Sequence, residues 1–221
     1  MTGPVAARKP LPDIRRAYRI LRRRNGHLHW WPGRTRLEII TGAILTQNTA
    51  WTNVEQAIRR LRASGLLSLS ALRTADRQVL EEAIRPSGYY RQKARKLAAF
   101  LELLDRRHRG SLAVMGRCPT TDLRNALLAT WGIGPETADS ILLYAFRRPV
   151  FVVDTYTHRV ALRHRWARGR PSYDALQCLF VSNLPASIDV YNDYHAQIVW
   201  VGKHYCRTAP RCKECPLRGL L

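Results

Sequence analysis

The sequence lacks any apolar run long enough to cross a membrane. A membrane-spanning helix needs about 20 consecutive apolar residues, and every apolar segment of this chain falls short of that length. The opening MTGPVAARKPLPDIRRAY also lacks the apolar core of a secretory signal. We therefore expect a protein that stays in the cytoplasm and has no membrane partner.

Cysteine is scarce, and acidic residues are few. The five cysteines are an odd number, and three of them fall within 206–221, which suits a reducing compartment and a metal site better than a disulfide framework. Only 16 Asp and Glu stand against 37 Lys and Arg, so the formal charge is +21. Such an excess attracts polyanions and favours nucleic-acid binding, the alternative being a genome whose codons favour arginine.

Paired extended strands are absent from the pattern, and helical spacing dominates. In 37–61, apolar residues recur three and four positions apart on both sides of a polar interruption at 46–53. Proline and glycine within 86–88 divide 76–104 into two helices. The 221 residues suffice for one domain or two small ones. We predict an all-α fold, with a short extended run only before Asp154.

The segment WGIGPETADSIL, residues 131–142, combines two glycines with helical pattern on both sides. Gly132 and Gly134 permit positive φ and a close backbone approach. Backbone N–H groups at the start of the following helix favour an anion. The segment resembles a helix-hairpin-helix motif, which grips a DNA phosphate without reading bases. The alternative is an ordinary tight corner between two helices.

Asp154 follows an apolar run in VVDTYTHRV, 20 residues beyond Gly134. Hairpin, apolar run and Asp together resemble the helix-hairpin-helix/Gly-Pro-Asp superfamily of DNA glycosylases, and in particular the endonuclease III family, from about residue 28 to the C terminus. The resemblance implies that Asp154 stabilises the cationic sugar as the N-glycosidic bond breaks, or orients the attacking water. Asp154 also suits a plain helix N-cap, and one side chain can do both.

The resemblance also implies an architecture and a partner. The expected fold has a six-helix barrel lobe over 28–147, which contains the hairpin, and a second lobe formed by 1–27 and 148–221. Asp154 is expected to face the cleft between the lobes. The expected partner is double-stranded DNA containing a damaged base, which is flipped out of the duplex for excision. We expect a monomer associated with the nucleoid.

The lysine that follows the hairpin in endonuclease III-like enzymes that also cut the strand is missing here. The matching residue is Glu136, which cannot form an imine with the sugar. The resemblance therefore predicts a monofunctional glycosylase, without AP lyase activity, that uses water as its nucleophile. Glu136 either lies near the sugar during the reaction or only caps its helix.

Four segments, WWPG, GAILTQNT, IRPSGYYRQKARKL and GIGPETADSILLY, resemble the 3-methyladenine glycosylase subgroup of this superfamily. We then expect Trp30, Trp31 and Trp51 to form the base pocket, because indole faces stack well on cationic alkylated purines. The alternative role of these tryptophans is core packing. Gln47 matches the family residue that fills the gap left by the flipped nucleotide, and is otherwise a polar helix end.

A basic stretch beside two tyrosines, PSGYYRQKARKL, adds candidate phosphate contacts. We predict that Lys93 and Lys96 contact DNA. A solvated basic face would show the same composition.

The cysteines near the C terminus resemble the loop that holds a 4Fe–4S cluster in this family. Five residues separate Cys206 from Cys212, and two separate Cys212 from Cys215. The first gap is one residue shorter than in the family, and the place of the fourth cysteine falls near Leu221. We predict a 4Fe–4S cluster completed by another group, with zinc bound by three cysteines and a histidine, or an empty loop, as alternatives. Candidate fourth ligands are His204, Cys118 and Cys178.

Three functions follow from these features. The first is monofunctional excision of an alkylated purine in base excision repair. The second is an endonuclease III-like glycosylase and AP lyase for oxidised pyrimidines, and the third is a DNA-structure binder without chemistry. Asp154 and the aromatic residues favour an enzyme over a binder, and Glu136 favours the first enzyme over the second.

Overall fold

The computed structural model describes residues 13–31 and 33–221. Helices and turns make up these residues and no strand occurs among them, so the prediction of an all-α fold is confirmed. The opening residues 1–12, on which the expected lack of a secretory signal rests, and the proline of WWPG lie outside the described residues. None of the helices described is both long and apolar enough to span a membrane.

The helices follow one another with short connections, two of which form 3-10 turns at Arg85–Ser87 and Arg218–Leu220. One helix, α9, continues directly as a π-helical segment, Ile141–Ala145. The α-helices are α1 (Ile14–Asn25), α2 (Arg36–Leu45), α3 (Trp51–Ala63), α4 (Leu69–Thr74), α5 (Arg77–Ile84), α6 (Tyr90–His108), α7 (Leu112–Met115), α8 (Thr120–Leu128), α9 (Pro135–Ser140), α10 (Thr155–Arg163), α11 (Tyr173–Val181) and α12 (Ile188–His204).

The chain divides into two compact units. The central unit comprises His29–Val152 with Ala186–Asn192. The terminal unit comprises the described residues up to Leu28, together with Val153–Pro185 and Asp193–Leu221. The hairpin belongs to the central unit, and Asp154 belongs to the terminal unit.

The core of the central unit is built from apolar stripes on its helices. In α2, Leu37, Ile40 and Ile44 lie three and four positions apart and are buried, as helical periodicity requires. A similar stripe is buried on α3, and the whole π-helical segment after α9 is buried as well. Packing of α2 against α3 and this segment fixes the turn between α2 and α3, which carries Gln47, and the start of α3 at Trp51.

In the terminal unit, α12 approaches α10 closely at Gly202. A Cβ atom at this position would lie 2.1 Å from Cδ1 of Tyr156, so any other residue would force the two helices apart. His195 lies two turns before Gly202 on the same face of α12, because seven residues make about two helical turns. Tyr156 stands in the first turn of α10, directly after Asp154 and Thr155. This helix contact therefore brings His195 to the beginning of α10.

Candidate active site

The hairpin is a short turn between α8 and α9. Gly132 has φ +79°, in the left-handed region that favours glycine. A Cβ atom there would also lie 2.6 Å from Cγ of Lys96, so Gly132 is required for space as well as for backbone conformation. Gly134 caps α9, where an added Cβ would meet nothing within 4 Å, and Pro135 is the first helical residue. The outer side of the turn is therefore open to a ligand.

Gln47 and Lys96 form a hydrogen-bonded bridge to this turn. Nε2 of Gln47 donates to the carbonyl oxygen of Gly132 at 3.1 Å and to Oγ1 of Thr137 at 2.9 Å. The ammonium group of Lys96 donates to Oε1 of Gln47. The structure thus gathers three residues predicted to contact DNA, Gln47, Lys96 and Gly132, although the Gln47 amide is engaged with the hairpin rather than extended into solvent.

The position of Lys93 differs from the prediction that this residue contacts DNA. Only 1% of this residue is exposed, and its Nζ donates to the carbonyl oxygens of Leu45 at 2.8 Å and Ser87 at 2.6 Å. Burial and the neighbouring Lys96 ammonium lower the pKa of Lys93 to about 8. The prediction that Lys93 contacts DNA is therefore wrong, because its ammonium closes the C-terminal end of α2 inside the central unit.

Trp30, Trp31 and Trp51 form one aromatic cluster with Tyr144. The ring centroids of Trp31 lie 4.8 Å from those of both Trp51 and Tyr144, and those of Trp30 and Trp51 lie 6.2 Å apart. None of the three indoles is fully buried, and Trp31 and Trp51 also pack against the core of the central unit, so their role as a base pocket stays a prediction. Tyr144, on the buried π-helical segment, supports it from beneath and was missed in the sequence.

Trp31 and Trp51 line a cavity of about 260 Å³. Glu38 and Glu55 line the same cavity, and each is held by a hydrogen bond. Nε1 of Trp51 donates to Oε1 of Glu55 at 2.9 Å, and Nη2 of Arg62 donates to Oε1 of Glu38 at 2.9 Å. Three arginines line the cavity beside the two carboxylates, so its charge does not select a cation. Its aromatic walls are the feature that suits a flat ring.

Asp154 is the N-cap of α10, and its carboxylate is held on both oxygens. Oδ1 accepts from the backbone N–H of Thr157 at 2.7 Å and from Oγ1 of Thr157 at 2.8 Å. Oδ2 lies 3.6 Å from Nε2 of His195, and only 10% of the Asp154 side chain is exposed. Burial opposes ionisation, but the contacts with His195 and Thr157 outweigh it and hold the pKa of Asp154 below its ordinary value of 3.8. The arrangement delivers a carboxylate that is ionised and fixed in place.

His195 is a site residue that sequence reasoning missed. Its side chain is 7% exposed and faces Asp154 from α12, far along the chain. The only signal in the sequence is its spacing of seven residues from Gly202, which becomes informative once the contact between Gly202 and Tyr156 is known.

Glu136 stands exposed in the first turn of α9, a position that favours a negative side chain. It belongs to the central unit, and its correspondence to the family's lysine stays a prediction.

Cys206, Cys212 and Cys215 line one small cavity in the terminal unit, together with His164. The candidate fourth ligands do not line it, since Cys118 lies beside His108, Cys178 beside Ser182, and His204 is bonded to Trp200.

The three thiols suit a soft metal or a cluster in their chemistry. Within residues 13–31 and 33–221, however, no group of three or more His, Cys, Asp or Glu side chains is placed to hold a metal ion. Nη1 of Arg163 instead lies 3.3 Å from Sγ of Cys206, and the same guanidinium donates to the carbonyl oxygens of Arg207 and Thr208. The residues in this arrangement do not fit a four-ligand cluster.

Comparisons with known proteins agree with the family that the sequence resembles. Residues 41–185 match the model of the HhH-GPD superfamily of base excision DNA repair proteins. The chain is 42% identical over 207 residues to "Putative DNA repair glycosylase MJ1434" of Methanocaldococcus jannaschii, covering 93% of this chain and 94% of the relative. It is 29% identical over 182 residues to endonuclease III of Thermotoga maritima, covering 82% and 80% of the two chains.

A solved structure extends the likeness to an enzyme of known substrate class. The Helicobacter pylori 3-methyladenine DNA glycosylase MagIII, bound to 1,N6-ethenoadenine, superimposes with a TM-score of 0.75 at 28% identity over 87% of this chain and 98% of its own. The chain therefore belongs to the HhH-GPD superfamily of base excision DNA repair proteins. Within that superfamily it is an endonuclease III-like DNA repair glycosylase, and its partner is DNA.

Proposed function

We propose that the protein excises alkylated purines from double-stranded DNA and is monofunctional. The observation that carries the proposal is the cavity whose aromatic walls are Trp31 and Trp51. Its volume, about 260 Å³, lies just below the range of roughly 300–1,000 Å³ that holds drug-sized ligands, which is suitable for a single base. A cationic alkylated ring gains stacking and cation–π energy against such walls.

The likeness to MagIII supports this substrate class. That protein is named a 3-methyladenine glycosylase, and its structure contains a modified adenine. The cluster of Trp30, Trp31 and Trp51 gives this chain the aromatic surface that such a base requires. An alkylated purine also carries a labile glycosidic bond, so stacking can substitute for selective hydrogen bonds.

Asp154 supplies the catalytic charge in this proposal. As the glycosidic bond breaks, positive charge develops on the sugar, and a fixed carboxylate stabilises it without reorganisation. The same carboxylate orients the attacking water. His195 and Thr157 keep the carboxylate ionised and in one position, which makes His195 a positioning residue.

Strand cleavage through an imine is not part of the proposed reaction. Glu136 has no amine, so the first residues of α9 offer no group that can form an imine with the sugar. The backbone around Gly132 and Gly134 and the ammonium of Lys96 bind DNA phosphates. Gln47 fills the gap in the duplex after it leaves its bonds to the hairpin. We further propose that the protein acts as a monomer on cytoplasmic DNA.

A panel of lesion duplexes tests the proposal. Duplexes containing an alkylated purine, an oxidised pyrimidine or no lesion are incubated with the protein and analysed with and without alkali. We expect release of the alkylated base, with strand breaks only after alkali. Breaks without alkali, together with a preference for the oxidised pyrimidine, would support the second candidate, an endonuclease III-like glycosylase and AP lyase, and would refute the proposal.

A further inference from the structure

A basic groove lies beside the hairpin in the central unit, between residues of α5, α6 and the turn itself. It has a volume of about 490 Å³ and is lined by Arg77, Arg91, Arg95, Lys96 and Trp131, with Gly132 at one end. Arg77 is held by Glu81, its Nε lying 2.7 Å from Oε1, and Nε of Arg91 lies 3.9 Å from the other oxygen of Glu81. One carboxylate thus faces several cations, so the groove keeps a positive charge.

Trp131 is unusual in this groove because its large apolar side chain is exposed to solvent in the folded protein. The residue is 46% exposed. The guanidinium carbon of Arg95 lies 4.1 Å from the centroid of its ring, so one face of the indole is stacked on a cation. The next residue, Gly132, packs against the Lys96 side chain and fixes where the turn presents the indole. An exposed aromatic ring locked beside arginines is a typical surface for a nucleic-acid strand.

We propose that this groove binds the DNA strand running past the hairpin, with phosphates on Arg91 and Arg95 and a nucleoside packed against Trp131. The cationic lining selects a polyanion, and the indole selects a polyanion with a flat or apolar group between its charges. Because the groove extends to Gly132, the strand that it binds is the one that we propose is held by the hairpin. The inference rests on the proposed contact of the hairpin with DNA, and it is independent of which lesion is excised.

The salt dependence of binding to an undamaged duplex tests the groove. Each phosphate contact contributes close to one unit to the slope of log K against log salt. We expect Arg95→Ala to reduce this slope by about 1, and Arg95→Lys to retain it. Trp131→Ala should weaken binding by about 5-fold or more at every salt concentration without changing the slope, and Trp131→Phe should retain most of the affinity. Fluorescence anisotropy measures both quantities.

Arg106→Ala is the matched control for loss of a positive charge. Arg106 lies on the same helix, α6, in an exposed ion pair with Glu102 and outside the groove. We expect its substitution to change the slope by less than about half a unit. Wild-type binding by both Arg95→Ala and Trp131→Ala would overturn the proposal, and so would an equal loss in Arg106→Ala, which would show a general charge effect.

The failure of this inference can be told apart from the failure of the proposed function. Suppose that wild-type protein releases no base from the lesion panel, while Arg95→Ala lowers the salt dependence of DNA binding. The groove is then supported as a DNA-binding surface, and the proposed substrate is wrong. If wild-type protein releases the alkylated purine while the groove variants bind DNA normally, only the groove is wrong. Arg95 and Trp131 are exposed, and thermal unfolding of each variant checks that it folds.

Discussion

The surroundings of Asp154 leave far less freedom than those of Trp31 and Trp51. The Asp154 carboxylate is almost buried and accepts bonds from one neighbour while facing a histidine. The two tryptophans instead border an open cavity and are held mainly by other aromatic rings. The difference separates two tasks: a group that stabilises developing charge must be fixed in advance, whereas a surface that accepts a base must leave room for it.

Replacement of Asp154 tests the fixed group and should give the largest effect. In Asp154→Asn, the amide oxygen can still accept from Thr157, and Asn is a good N-cap, so the fold should persist. The charge is lost, and we expect base excision to fall by about 100–1,000-fold. Single-turnover base release measures this, with affinity for undamaged duplex as the control. Near-normal excision would remove Asp154 from the mechanism.

Truncation of Trp51 tests the open surface. We expect Trp51→Ala to lower the excision of an alkylated purine by about 5–150-fold, the equivalent of about 1–3 kcal/mol for one stacked base. Trp51→Phe keeps an aromatic face but loses the bond to Glu55, and should lose much less.

The comparison that matters for Trp51 is between excision and stability. If Trp51→Ala leaves excision intact and lowers only the thermal unfolding temperature, the indole is a packing residue. The proposed substrate class would then lose its main physical support.

Lys93 should affect stability in a pH-dependent way. In Lys93→Met the carbonyls of Leu45 and Ser87 lose their donor, which costs about 1–3 kcal/mol of unfolding free energy. Folding lowers the pKa of Lys93 from 10.5 to about 8. Between these pH values the unfolded chain binds more protons than the folded one, so the unfolding free energy of the wild type increases as pH rises. The gap between wild type and variant should therefore widen from about pH 8 to 10.5. Denaturant unfolding at several pH values would show a constant gap if this account of Lys93 were wrong.

His195 should have the smallest effect at neutral pH and the clearest signature in acid. Contact with His195 helps to lower the pKa of Asp154, so removing it raises that pKa. The excision rate of His195→Gln should then begin to fall at a higher pH than that of wild type, with only a few-fold loss at neutrality.

His158→Gln is the control for His195. His158 lies on α10 but is bonded to the carbonyl of Pro171 rather than to Asp154. An unchanged acid limb in His195→Gln, or the same shift in both variants, would show that His195 does not position the carboxylate.

The local parts of the site were predictable, and the long-range parts were not. An Asp before a helix indicates an N-cap, and a pair of glycines indicates a turn. Asp154 and Gly132 could therefore be placed from their neighbours in sequence. His195 reaches Asp154 through the packing of α12 on α10, and Tyr144 reaches Trp31 through the core, so neither had a local signal.

Lys93 and Lys96 show the same limit within one turn. Both belong to one basic stretch, and periodicity alone did not show which of them faces inward. Lys93 is the buried one because the carbonyl oxygens of Leu45 and Ser87, on two other segments, accept hydrogen bonds from its ammonium group. Lys96 remains at the hairpin because its ammonium group donates a hydrogen bond to Oε1 of Gln47.

Borohydride trapping on a duplex with an abasic site tests the central claim, that water rather than an amine attacks the sugar. An imine between enzyme and sugar is reduced to a stable covalent adduct, and a lysine-dependent AP lyase serves as the positive control. We predict little or no adduct for wild-type protein and a gain of adduct in Glu136→Lys, which restores an amine to the first turn of α9. Efficient trapping of the wild-type protein would contradict the account.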